Sequence, residues 1–356
     1  MADSPSARGR PPEIVTLGEC LMALVASEYG PLAEARGFGA HVAGAEANLA
    51  VGLNRLGHPT AFIGRVGPDG FGTAICRALR GAGVNVDWLG VDDAAPTGIL
   101  VRERRALGAA EVLYYRSGSA GSRLESADVD AAAAEGAFSG ARWLHVTGVT
   151  PALSRSARDA VERALELARA AGATVSLDLN LRRKLWTDRD ARPVLAALAA
   201  RSDVVLASED EAAVVTGSAV NSKPDDLLGA ILALGPSTAI LKLGANGAIA
   251  REKEGDVVRA AAVRVTAIDP IGAGDAFCAG FIAARLEGKD LAAALNVANL
   301  SGAAAVAAVG DQAGLLDRTE LDPLGPAEGP PAAFAYARSC TRRAVLCNQF
   351  AGSAWW

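Results

Sequence analysis

Asp269-Pro270-Ile271-Gly272-Ala273-Gly274-Asp275-Ala276-Phe277 sets a glycine-rich turn and a carboxylate at the head of an apolar helix. The residues beyond it, Cys278, Ala279, Phe281, Ile282, Ala283, Ala284 and Leu286, are apolar nearly all round, so the helix should be buried, and Gly288 supplies its stop. Pro270 cannot continue a strand ladder, which sharpens a strand-to-helix switch. A helix N-terminus presents unpaired backbone N–H groups and a positive dipole end, and Gly272 and Gly274 lack the Cβ atoms that would hold a phosphate away. Asp275 stands where a base could meet a hydroxyl. The arrangement suits phosphoryl transfer, although an ordinary helix start with an acidic first turn fits the same residues.

The chain around this run has 356 residues, enough for about two domains or one large α/β unit. Its hydrophobic share of 51% with only 5% aromatics comes largely from alanine, which favours helices packed closely on a sheet. A formal net charge of −5 gives no nucleic-acid footprint, so an acidic substrate would need local arginines. Cysteines 20, 76, 278, 340 and 347 form no CxxC pair and are too few for a disulfide scaffold of this size. The polar start Met1 to Pro12 lacks a signal-peptide core, and no apolar run reaches membrane length. A soluble, cytoplasmic protein without membrane or nucleic-acid partners is expected. His41, His58 and His145, with no HExxH, argue against a histidine-built zinc site.

Apolar strand-like runs alternate with longer helical patterns, an α/β signature. Strands are expected at Ile14 to Gly18, Ala61 to Val66, Trp143 to Val146, Thr174 to Leu179, Val204 to Ala207 and Thr238 to Leu243. Helices are expected at Glu46 to Leu56, Phe71 to Arg80, Ser156 to Ala171, Ala191 to Ala200 and Pro224 to Leu234, giving a mostly parallel sheet covered on both faces. Ala35 to Val42 and Thr97 to Arg116 break the rhythm as extended stretches and read as a small antiparallel sheet, a natural lid. Arg102, Glu103, Arg104 and Arg105 suit a hairpin with one face in water. The expected layout is a tail over 1–12, one α/β domain over 13–322 with its lid from about 32–43 and 96–118, and a Pro/Gly/Ala-rich tail over 323–356. Trp355 and Trp356 could anchor that tail or be an incidental extension.

Two separated motifs resemble the ribokinase-like sugar kinases, the PfkB family. One is the Asp269 to Phe277 run. The other is Gly44-Ala45-Glu46-Ala47-Asn48-Leu49-Ala50, continuing through Leu56-Gly57 to Gly64-Arg65-Val66-Gly67-Pro68-Asp69 and Gly72. The resemblance covers about residues 13 to 320 and implies a three-layer α/β/α fold with a small β-sheet lid. Within the family the closer likeness is to 2-keto-3-deoxygluconate kinases, carried by Tyr114-Tyr115-Arg116-Ser117-Gly118-Ser119-Ala120, by Leu144 to Leu153 and by Asp178-Leu179-Asn180-Leu181-Arg182. It implies that Gly44, Asn48, Tyr114, Arg116, Val149 and Arg182 surround the substrate, with the Asn48 amide facing a sugar hydroxyl. A carboxylate substrate needs cationic, bidentate partners, which Arg116 and Arg182 would supply. A cross-strand aromatic, a lid charge and a solvated loop arginine fit Tyr114, Arg116 and Arg182 as well.

Three positions around the substrate side depart from the family. Ala23 stands where fructokinase-like and ribokinase-like members carry a sugar-gripping aspartate, which removes repulsion against an anionic substrate and favours a sugar acid. Ala43 replaces a paired glycine, and Leu100 replaces an expected substrate-facing tyrosine.

On the nucleotide side, the resemblance places Lys242, Gly244 and Gly247 in a loop near phosphate or ribose, although a plain Asn-Gly hairpin turn fits equally. It aligns Ser208 and Glu211 with an Asn-x-x-Glu element tied to magnesium and phosphate, and it sets Asn299 near adenine, where a structural role also fits. No Walker A or dinucleotide fingerprint occurs. The implied reaction moves the ATP γ-phosphoryl group to the 6-hydroxyl of 2-keto-3-deoxygluconate. Asp275 would be the base, and the N–H groups of Gly272, Ala273 and Gly274 the anion hole. Mg²⁺ would ride on the phosphates with Glu211 reaching it through water, and K⁺ could lie near Asp269; no direct metal ligand is assigned. A neutral-ketose kinase and a non-catalytic sugar sensor remain as alternatives. An exposed β lid suggests a homo-oligomer.

Overall fold

Ile14, Val15, Thr16 and Leu17 are all fully buried, as a strand covered on both faces requires. They form β1 (Ile14–Leu17), an inner strand of the main sheet, third from one edge. The computed structural model describes residues 11–105 and 110–322; the first ten residues of the expected N-terminal tail and the whole expected C-terminal tail, with Trp355 and Trp356, lie outside the described residues.

In chain order the other strands are β2 (Leu21–Tyr29), β3 (Phe38–Ala43), β4 (Thr60–Val66), β5 (Leu89–Val91), β6 (Ile99–Arg104), β7 (Val112–Tyr115), β8 (Trp143–Thr147), β9 (Thr174–Asp178), β10 (Val204–Ser208), β11 (Thr238–Lys242), β12 (Ala248–Glu252) and β13 (Val258–Ala260). Nine of them form one sheet in the order β13-β12-β11-β10-β9-β8-β1-β4-β5. It is parallel from β11 to β5 and closes with the antiparallel β12 and β13. Alternation along β10 sends Val205 and Ala207 into the core on one face and Val204 and Leu206 into the core on the other. The second face is closed by the Ala45–Arg55 and Ala273–Leu286 helices, whose Leu49, Leu53, Phe281 and Ile282 are buried there. Strand order reverses between β8 and β1, so the crevice at their carboxyl ends is the place where such sheets take ligands.

The lid is a separate sheet in the order β3-β2-β6-β7. Two expectations are corrected here. Its central strand β2 falls outside the expected lid segments, and the lid is not purely antiparallel, because β2 and β6 run parallel. The apolar run Leu21 to Ala26 follows β1 after only three residues, so its pattern merges with that of β1 in the sequence. None of the helices among the described residues is long and apolar enough to cross a membrane.

Candidate active site

The cavity lies between the lid and the carboxyl ends of β1, β8 and β9. Period-two alternation decides which lid residues face it: Ala23, Leu100 and Tyr114 lie opposite one another across β2, β6 and β7, and all three line the cavity, as do Val25, Arg102 and Val112 one step along. The departures at Ala23 and Leu100 therefore sit on the wall that any ligand would touch. From the main body come Gly44, Asn48, Val149, Arg182, Gly272 and Asp275, so every residue expected around the substrate meets in this one cavity.

Gly44 precedes the Ala45–Arg55 helix with φ +139, and a Cβ there would lie 2.6 Å from the Glu19 carbonyl oxygen. Only glycine permits both the dihedral and the approach. One turn on, the Asn48 amide nitrogen donates to Asp275 Oδ2 at 2.9 Å and to Asp311 Oδ2 at 3.4 Å, while its oxygen accepts from Gln312 Nε2 at 3.1 Å. The Asn48 amide thus lines the cavity while its nitrogen is held by two carboxylates of the protein.

Gly272 is left-handed, φ +77, and opens the Ala273–Leu286 helix, so the first-turn N–H groups have no intrahelical acceptor and Asp275 stands in that turn. Burial pushes the Asp275 carboxyl up to about 7; the Asn48 hydrogen bond and the Arg182 charge pull against that, and the Asp178 and Asp311 charges add to it. Burial also pushes Asp311 upward.

The two arginines differ. Arg116 is buried, donates from Nε to Glu19 Oε2 at 2.6 Å and packs over the Tyr114 ring at 5.7 Å, so its charge is already met by a fully buried carboxylate. Arg182 follows β9 on an exposed segment beyond Asn180, a non-glycine residue at positive φ (+36). Its charge reaches Asp275.

None of the residues expected on the nucleotide side lines this cavity. Ser208 and Glu211 cap the Glu209–Thr216 helix reciprocally: Glu211 Oε2 accepts from Ser208 N at 2.8 Å, and its Oε1 accepts from Leu181 N at 2.9 Å. Lys242 Nζ lies 2.8 Å from both oxygens of buried Asp178, and 3.6 Å from where a Cβ on Gly274 would sit, so its ammonium reaches the underside of the turn. Gly244 and Gly247 flank a tight antiparallel turn, Lys242 pairing with Ala248, which is the hairpin alternative. Asn299 donates to the Ala260 and Ala261 carbonyls at 3.1 and 3.0 Å and clamps the end of β13, the structural role. Asp269 is gripped by both terminal nitrogens of Arg102 at 2.9 and 2.7 Å, so the charge expected to attract K⁺ is met by a guanidinium.

The family model for pfkB family carbohydrate kinases matches residues 11–318. The chain belongs to the pfkB family of carbohydrate kinases. This kinase is 37% identical to a 2-dehydro-3-deoxygluconokinase of Thermoproteus tenax over 91% of its own length and 99% of the relative's. The crystal structure of 2-dehydro-3-deoxygluconokinase from Thermotoga maritima superposes with a TM-score of 0.81 at 26% identity, covering 88% of this chain and 99% of that one. A structure from Escherichia coli in complex with ATP and Mg²⁺ gives a TM-score of 0.80 at 28% identity, covering 88% and 98%.

Further residues, to which the motifs assign no role, also shape the kinase's site. Asp311 and Gln312 reach Asn48 from a segment without periodicity. Glu19 and Glu46 are buried carboxylates beneath the lid, Glu46 accepting from Thr147 and Thr150 hydroxyls at 2.7 and 2.6 Å. Arg102 and Glu103 are only 8% and 3% exposed, which overturns the water-facing hairpin expected for them.

Proposed function

We propose that this kinase phosphorylates the 6-hydroxyl of 2-keto-3-deoxygluconate, or a close sugar acid, with ATP as donor. The observation that carries the reading is Asp275: a buried carboxyl whose affinity for a proton is raised to about 7, set at a helix N-terminus and opening on a cavity flanked by Arg116 and Arg182. A base titrating near neutrality can take a hydroxyl proton without becoming inert, and Asn48 holds it in place. The N–H groups of Gly272, Ala273 and Gly274 would stabilise charge developing on the transferred group. Lys242 beneath the turn adds a positive charge. Glu211 keeps lone pairs beyond its two backbone bonds and could reach, through water, the Mg²⁺ that accompanies the nucleotide; the ion neutralises phosphate charge. The alanine and leucine at 23 and 100 leave the lid wall without carboxylates, which suits an anionic acceptor.

A panel of sugar acids and neutral ketoses, read by ADP release, tests this. The highest kcat/KM is expected for 2-keto-3-deoxygluconate; a neutral ketose in first place would overturn the acid reading. Arg182→Ala should raise the KM for the acid roughly 10- to 100-fold, the loss of a charge-assisted contact, with a smaller effect on kcat. An unchanged KM would remove Arg182 from the acceptor site.

A further inference from the structure

Arg102 belongs to a lid strand, yet its guanidinium points into the body of the protein. Its Nη1 and Nη2 hold the two oxygens of Asp269 at 2.9 and 2.7 Å, in the parallel fork that a carboxylate fits best. Asp269 Oδ1 also accepts from Ile271 N and Oδ2 from Gly310 N, each at 3.3 Å. One buried carboxylate therefore joins three pieces of chain that are remote in sequence: the lid, the turn that opens the Ala273–Leu286 helix, and the segment that carries Asp311. Those last two pieces also touch directly, since a Cβ on Gly272 would lie 2.6 Å from the Asp311 carbonyl oxygen. Arg102 keeps Asp269 ionised against the cost of its burial.

We propose that Arg102 is a positioning residue for phosphoryl transfer, an internal guanidinium counter-ion that locks the Gly272–Asp275 turn to the lid through Asp269. The proposal rests on the reading of that turn as the reacting centre. A turn misplaced by about 1 Å can cost a hundredfold in rate, so the strut should act on kcat more than on acceptor binding. Lysine could supply the charge but not the fork.

The test uses the full chain with ATP and whichever acceptor the panel ranks first, in the variants Arg102→Met, Arg102→Lys, Asp269→Asn, the Arg102→Met/Asp269→Asn double variant and Asp275→Asn. Arg102→Met should lower kcat by about tenfold or more with acceptor KM within about threefold, and Arg102→Lys should fall between it and the parent. Added guanidinium chloride or KCl, at concentrations that leave the parent enzyme unaffected, should restore part of the activity of Arg102→Met and none to the double variant. The double variant should be no slower than the slower single variant, because both disable one strut. A kcat of Arg102→Met within about twofold of the parent, additive losses in the double variant, or a rise in acceptor KM alone would overturn the proposal, the last by making Arg102 a direct ligand. Should Arg102→Met not fold, Arg102→Lys decides: parent-like kcat overturns the proposal, and a reduced kcat at unchanged KM supports it. Asp275→Asn separates the premises: if it keeps its kcat, the reading of the turn fails and this proposal with it. If it is inactive while Arg102→Met is parent-like, only this proposal falls.

Discussion

Asp275→Asn is expected to lose roughly two to four orders of magnitude in kcat while folding normally, the scale of removing a general base. The amide is nearly isosteric and can keep a partner in Asn48, which now lies 2.9 Å from the carboxylate, but it cannot accept the hydroxyl proton. Steady-state turnover with the preferred acceptor checks this, and a kcat within about tenfold of the parent would remove Asp275 as the base. The same assignment predicts the pH profile. With the carboxyl titrating near 7, kcat/KM should rise with unit slope up to that pH and level off above it.

The same variant carries a stability signature. The carboxyl at 275 is raised in the folded protein from 3.8 to about 7, so between those values the native state binds the extra proton and stability falls as pH rises. The penalty is absent below about pH 4 and complete above about pH 7, with an upper bound near 4 kcal/mol at 1.36 kcal/mol per unit. Asp275→Asn should therefore melt higher than the parent at pH 8 and equally at pH 4, a comparison for thermal denaturation at matched ionic strength. An inactive but stabilised variant would mark the buried charge as kept for chemistry. An equal melting temperature at pH 8 would mean that the site is wetter than its burial suggests.

The main sheet was legible because its strands obey one rule. A parallel strand covered on both faces is mostly apolar, as Ala239, Ile240 and Leu241 are in Thr238–Lys242, whereas Trp143–Thr147 and Thr174–Asp178 admit His145 and Ser176, buried polar side chains that satisfy each other at 2.8 Å. Helix boundaries followed from small residues and caps, as at Pro224–Leu234. Gly44, Tyr114, Arg116, Val149 and Arg182, which the family resemblance grouped together, line one cavity. The pairings inside it were not legible. Arg102 and Asp269 are 167 positions apart, and Asn48 and Asp275 are 227 apart, distances over which composition and periodicity carry no information. Arginine among charged neighbours in a short hairpin reads as solvated, and only the register of β6 against β2 reveals that Arg102 faces inward. Ser208 and Glu211 did carry a local signal. Ser-x-x-Glu is a capping box, and the structure uses it as one.

The two glycines of the turn should fail differently. Gly272→Ala puts a Cβ at φ +77, where an L side chain costs about 1 kcal/mol, and aims it 2.6 Å from the Asp311 carbonyl oxygen, backbone that cannot swing aside. The segment 310–312 must move, and with it Gly310 on Asp269 and Asp311 and Gln312 on Asn48, so the group that orients Asp275 is displaced. A loss of about a hundredfold in kcat and a lower melting temperature are expected together. Gly274→Ala meets only the Lys242 ammonium at 3.6 Å, an ordinary contact, and asks for no unusual dihedral. It should leave the melting temperature unchanged or raised, since alanine suits a helix better than glycine. Its methyl group would nevertheless stand between the turn and the Lys242 ammonium beneath it, so on the proposed reading the charge that Lys242 lends to the transferred group is weakened and kcat should fall while the fold is untouched. Measured side by side, a Gly274→Ala enzyme with normal kcat would take the Lys242 charge away from the transferred group. Parent-like kcat and stability in Gly272→Ala would show that the turn relaxes without consequence for the base.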